Sequence, residues 1–121
     1  MKIRWKKSRI IFEIGQKSDC AYILISGEVQ LKSKDNIEIG IIGEDEIFGE
    51  QSCLLGTNRS VTAIATKDTE VFKVSKEILL EQYKKTPVII KSILRTNYIR
   101  LKEQNLNRSL DIKKSLEDLT K

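Results

Sequence analysis

From Ile10 to Val74 the chain reads as short apolar or alternating runs, broken every eight to twelve residues by turn-forming text. That rhythm predicts an all-β barrel or sandwich. "RIIFEIG" reads as a strand ending at Gly15, and "QKSD" as the turn after it. "CAYILIS" is nearly continuous in apolar residues, which predicts a strand buried on both faces. After Gly27, "EVQLKSK" alternates strictly, with Val29 and Leu31 on one side. "KDN" supplies a hairpin turn, since Asp35 and Asn36 tolerate left-handed backbone. "IEIGIIG" is the return strand, and "VTAIAT" and "EVFKV" are two more, divided by "KDT".

The period changes at Ser75. "SKEILLEQYKKT" opens on a good N-cap and puts Ile78, Leu79, Gln82 and Tyr83 on one helical face. Pro87 is the only proline; it predicts the end of that helix near Thr86 and the start of a second. The second helix is expected to run to about Gln104. A further helical set with Leu106, Leu110, Ile112, Leu116 and Leu119 follows, continuous or kinked. The Leu94–Tyr98–Leu101 stripe is too short to specify a coiled coil. The expected organisation is a β core with its short helix over 1–86 and a C-terminal helical segment over 87–121.

Composition narrows the function more than the fold. No apolar run nears the ~20 residues that span a bilayer. The basic opening "MKIRWKK" is followed by an apolar run, Ile10 to Ile14, that contains Glu13 and is too short for a signal peptide. A cytoplasmic protein without membrane association is expected. Histidine is absent. This removes Ser-His nucleophiles, imidazole acid–base work and His-based metal sites, so neither an enzyme nor a metal cofactor is expected. Cys20 and Cys53 match no metal spacing and read as buried, reduced thiols. The net charge of +5 reads as a solvated basic surface. The competing reading is a basic tail that touches nucleic-acid phosphates without sequence readout.

The informative stretch is "IFGEQSCLLGTNRSVTAIA", Ile47 to Ala65. It sets a lone Glu50 and a lone Arg59 at the two ends of a tight loop. Arg59 offers a permanently charged planar fork suited to phosphate oxygens. The start of the helix-compatible "EQSCLL" offers free main-chain N–H groups. Glu50 would repel phosphate but accepts hydrogen bonds from sugar hydroxyls. Together they suggest a ligand in which ribose and phosphate lie close together. An ion pair that merely closes the loop is the structural alternative.

These residues resemble the phosphate-binding cassette of the cyclic nucleotide-binding domain family. Phe48, Gly49, Glu50, Arg59 and Ser60 match its Phe-Gly-Glu…Arg-Ser pattern, and the upstream Gly15, Tyr22 and Gly27 fall at matching places. The likeness spans roughly Trp5 to Leu101. It implies a mainly β fold, a β-roll (a jelly roll of cupin-like kind) with C-terminal helices, holding cyclic AMP or cyclic GMP. By the same resemblance Glu50 would meet the ribose 2′-hydroxyl, and Arg59 the cyclic phosphate. Gly49 would let the backbone approach the sugar, while Ser52, through its N–H, and Ser60 would add donors. Ile39 and Val61 would line the apolar wall. The helix after Pro87 would serve as a lid or dimer helix, with one of Arg95, Asn97, Tyr98 and Arg100, Arg95 or Tyr98 first, reaching the base. Ser60, where cyclic-GMP binders often carry Thr, leans toward cyclic AMP.

The sequence departs from the pattern at three places. Asn58 stands where proline is common, Gln51 where an apolar residue packs, and Asp45 in "GEDE" where a turn glycine is common. With Glu44 and Glu46, Asp45 gathers three carboxylates near an intended anion site. The expected role is a sensor that passes ligand-induced closure to an effector protein or through a homodimer. No sequence-specific DNA-binding module is expected before Lys121. The alternative is a degenerate roll that binds no nucleotide and serves as an oligomerisation or interaction module.

Overall fold

The computed structural model describes residues 1–101, with side chains to Thr96. It divides into two compact units, Met1–Leu79 and the chain from Leu80 on. The first unit is a pair of four-stranded sheets. One has the order β1 (Lys2–Trp5), β8 (Thr69–Ser75), β3 (Cys20–Ser26), β6 (Ile47–Phe48). The other has the order β2 (Ile10–Phe12), β7 (Thr62–Ala65), β4 (Val29–Lys32), β5 (Glu38–Ile42). All pairings are antiparallel. The strand rhythm predicts the all-β core, the resemblance implies a β-roll with C-terminal helices, and that is the fold that forms.

Alternation sorts each strand into an inner and an outer face. Tyr22, Leu24, Val29, Phe48, Ala63 and Val71 turn inward and form one core with Phe12 and Cys20. Val29 and Leu31 lie on the core side as their spacing predicts. The core is aromatic at one end. Tyr22 meets Phe48 at 5.4 Å and Phe12 at 6.3 Å between ring centroids, and takes the edge of Trp5 at 5.3 Å.

Several sequence readings need correction. "CAYILIS" forms β3 as drawn, but its second face is covered only in part, with Ala21 buried there. Ile23 is partly exposed and pairs with Ile47 and Phe72, also partly exposed, in one outward row. Along that row the outer side is open, so the apolar run reflects β-propensity as much as burial. "KIRW" is a strand the pattern reading passed over: its alternation turns Ile3 and Trp5 toward the core. The strand "RIIFEIG" stops at Phe12, because Glu13 to Gln16 closes into a turn through Gln16 N–H to Glu13 O at 3.1 Å.

The turns behave as their residues dictate. Asn36 takes the left-handed conformation expected of it (φ 61°). Ser75 Oγ accepts from Ile78 N–H at 3.2 Å and caps α2 (Lys76–Lys85). Ile78, placed on the apolar face by spacing, is exposed. α3 (Val88–Leu101) begins directly after Pro87. The leucine set from Leu106 to Leu119 lies outside the described residues. No described helix is long and apolar enough to cross a membrane.

Candidate functional site

Arg59 is the centre of the site. Its main chain is fixed first: Arg59 N–H donates to Gln16 O, and Gly15 N–H donates to Arg59 O, each at 2.8 Å. The loop after α1 is thereby pinned to the turn after β2. The side chain then runs inward and is only 4% exposed. Nη1 donates to Gly49 O at 2.7 Å and to Ser52 Oγ at 3.3 Å, and Nη2 donates to Cys20 O at 2.7 Å. The guanidinium carbon sits 4.1 Å from the centre of the Phe12 ring, a desolvated cation–π contact worth about 2 kcal/mol.

Two features of this buried cation matter chemically. Its Nε is buried and has no hydrogen-bond partner among the described residues. And the ion pairs among those residues are Arg4–Glu70 and Lys85–Glu81, neither involving Arg59. The loop-closing Glu50–Arg59 ion pair does not form. A buried guanidinium answered by carbonyl dipoles and a ring face, but by no carboxylate, is a place where an anion is stabilised.

α1 (Glu50–Leu55) supplies the opposite wall. Gly49 precedes it in the left-handed conformation (φ 79°, ψ 4°), and a Cβ there would lie 2.7 Å from Arg59 Nη1. The position therefore requires glycine twice over, for its backbone and for the room that Arg59 takes. With six residues α1 has a weak dipole, so the fixed positive charge comes mainly from Arg59. Ser52 is buried beside it, its hydroxyl 2.7 Å from that of Ser18. Burial pushes the Glu50 carboxyl above its ordinary range. The N–H groups of Glu50 and Gln51 and the charge of Arg59 pull it back only in part. Burial also pushes the Cys20 thiol up, against the pull of Tyr22 and Arg59, so it stays neutral.

Gly49, Glu50, Ser52 and Arg59 thus come together as the loop pattern implies. Ser60 follows on the exposed surface, and Val61 packs against the core. Ile39 stands on β5, an edge strand, and is 52% exposed. Arg95 and Tyr98 belong to α3 in the second unit, and the Tyr98 side chain lies outside those described. Glu44, Asp45 and Glu46 are all exposed. Asp45 takes the left-handed conformation itself (φ 70°), performing the turn that a glycine would. Cys20 and Cys53 are free and buried, as expected. Phe12 under the guanidinium, the Cys20 carbonyl and Ser18 were not foreseeable from the cassette. They come from strands and turns far along the chain, and none carries a charge or motif that would single it out.

A two-sheet roll whose short α1 loop buries, beside Gly-Glu, an arginine with no carboxylate partner among the described residues has the layout of a ligand-binding module. The chain belongs to the cyclic nucleotide-binding domain family, whose profile matches residues 2–86. It is 27% identical over 110 residues to the cyclic AMP receptor protein of Thermus thermophilus, a match covering 88% of this chain and 51% of that protein. Among solved structures it resembles the cyclic-AMP-bound form of the EAL enzyme Bd1971, with a TM-score of 0.75 and 33% identity over 86% of this chain and 29% of that one. The cyclic-GMP-bound form of the same enzyme gives a TM-score of 0.80 and 29% identity over 99% of this chain and 31% of that one. The chain spans about half the length of the receptor protein and under a third of the enzyme. The family is one of sensors rather than catalysts.

Proposed function

We propose that the roll binds a 3′,5′-cyclic nucleotide, cyclic AMP in preference to cyclic GMP, and passes the resulting closure to a partner. The observation that carries this is Arg59: buried, unpaired with any carboxylate among the described residues, and retaining a buried N–H without a partner. A cyclic phosphate would supply the missing negative charge. In this reading Glu50 accepts from the ribose 2′-hydroxyl, and Gly49 lets the sugar approach the backbone. Ser52 N–H and Ser60 add donors, and Val61 and Ile39 form the apolar wall. Arg95 or Tyr98 would reach the base. Residues 1–86 would be the binding core, and 87–121, of which 102–121 lie outside the described residues, would act as the lid or dimer segment toward a second copy or an effector protein. The named ligand of the Thermus relative favours cyclic AMP. The cyclic-GMP-bound form of the EAL enzyme makes cyclic GMP the comparison arm.

The test is calorimetric titration of the full chain with both nucleotides, on the wild type and on Arg59→Lys, which keeps the charge and loses the fork. Micromolar binding of cyclic AMP is expected, at least about 30-fold weaker in the variant, or about 2 kcal/mol. Folded wild-type protein that gives no heat and no thermal shift with either nucleotide at millimolar concentration would refute the reading.

A further inference from the structure

Resting on the nucleotide-binding reading, we propose that Ser18 is a positioning residue for Arg59, acting through a hydrogen-bond ring that reaches outside the cassette to Ser18 and Cys20. Ser18 lies in the turn before β3 and is 6% exposed. Its hydroxyl is 2.7 Å from Ser52 Oγ and 3.1 Å from Cys53 Sγ. Cys53 Sγ is in turn 3.1 Å from Cys20 O, the carbonyl that accepts from Arg59 Nη2. Arg59 Nη1 completes the circuit at Ser52 Oγ.

The donor inventory and the distances set the sense of this ring. A guanidinium only donates, so Ser52 Oγ accepts from Nη1. A carbonyl only accepts, so Cys53 gives its S–H to Cys20 O. Either hydroxyl can donate across the 2.7 Å contact, which leaves two arrangements: Ser52 to Ser18 with Ser18 to Cys53 Sγ at 3.1 Å, or Ser18 to Ser52 with Ser52 to Gly49 O at 3.5 Å. The first has the shorter contacts and wins, so the Ser18 proton goes to the Cys53 sulfur. Every hydroxyl and thiol in the run therefore donates once and accepts once; the run starts at Arg59 Nη1 and ends on Cys20 O, which also accepts from Nη2. Such one-way chains strengthen each bond they contain.

Two consequences follow for the site. The Ser52 hydroxyl is used up inside the ring, so the donor that Ser52 can offer a phosphate is its main-chain N–H. And without Ser18 the Ser52 proton turns to Gly49 O, the carbonyl that Arg59 Nη1 uses at 2.7 Å. The fork loosens although no residue facing the ligand has changed.

The experiment pairs Ser18→Ala with Ser52→Ala and the double variant, using two readouts on the full chain. One is solvent exchange of the Arg59 side-chain N–H protons by NMR without ligand. The other is the dissociation constant for cyclic AMP by calorimetry. Ser18→Ala should speed the exchange and weaken binding about tenfold. In the Ser52→Ala background, where only the longer path through Cys53 and the Cys20 carbonyl still joins Ser18 to Arg59, its effect on both should shrink. A Ser18→Ala protein that melts lower but keeps wild-type exchange and affinity would show Ser18 to be mere packing and overturn the proposal. The exchange readout decides the positioning role on its own. A wild type that binds no nucleotide while Ser18→Ala still loosens Arg59 would sink the proposed ligand and leave the ring standing.

Discussion

Replacing Gly49 by alanine separates backbone strain from displacement of Arg59, because the same loop holds a control. Gly49 and Gly56 flank α1, and both are left-handed, with φ of 79° and 70°. A Cβ at Gly56 would meet nothing within 4 Å. Gly56→Ala should therefore cost only the left-handed penalty, about 1–2 kcal/mol. At Gly49 the Cβ would stand 2.7 Å from Arg59 Nη1 and 3.3 Å from Phe12 Cε2. The ring cannot retreat far in a packed core, so the arginine must move and give up its 2.7 Å bond to Gly49 O. A hydrogen bond to a charged group contributes about 1.5–3 kcal/mol. Gly49→Ala should thus cost about 3–5 kcal/mol, read from urea denaturation midpoints at unchanged slope. In an Arg59→Ala background the added cost of Gly49→Ala should fall back to the Gly56→Ala value. Equal costs for the two glycines in the wild-type background would refute the close approach of Arg59 to Gly49.

Two further outcomes follow from titrating groups. Burial raises the Glu50 carboxyl above its ordinary 4.5, so the folded state favours its protonated form. That contribution is complete below the ordinary value and is lost as pH rises through the raised one. Glu50→Gln should accordingly raise the melting temperature at neutral pH, flatten the stability profile across that window, and weaken cyclic AMP binding. A variant no more stable than wild type at pH 7 would contradict the buried charge. Burial, aided by Cys20, also pushes the Tyr22 phenol well above its ordinary 10. Of the three tyrosines, Tyr22 should stay un-ionised in an alkaline absorbance titration until the protein unfolds; three tyrosines titrating together near pH 10 would speak against its enclosure.

The strand rhythm made most of the fold legible, because inward positions such as Val29 and Leu31 on β4 recur at a period of two. β1 escaped for a physical reason: Lys2 and Arg4 are outward positions of an exposed edge strand, and their charge masks the alternation of Ile3 and Trp5. "CAYILIS" misled in the other direction, since Ile23 is as apolar as its buried neighbours while itself exposed. At the site, the cassette gave Gly49, Glu50, Ser52 and Arg59, whose chemistry shows in their residue types. Phe12, Ser18 and the Cys20 carbonyl were hidden, because a phenylalanine, a serine and a peptide oxygen announce nothing until folding sets them against a guanidinium.

The aromatic end of the core has an optical consequence. Trp5 is the sole tryptophan, and its edge rests on Tyr22, which stacks on Phe12, the ring beneath Arg59. A cation that shifts against Phe12 disturbs a continuous stack ending in the one indole of the chain. The protein therefore carries its own fluorophore, wired by ring contacts to the charge that matters. Its emission can follow events at the arginine in real time, without a label.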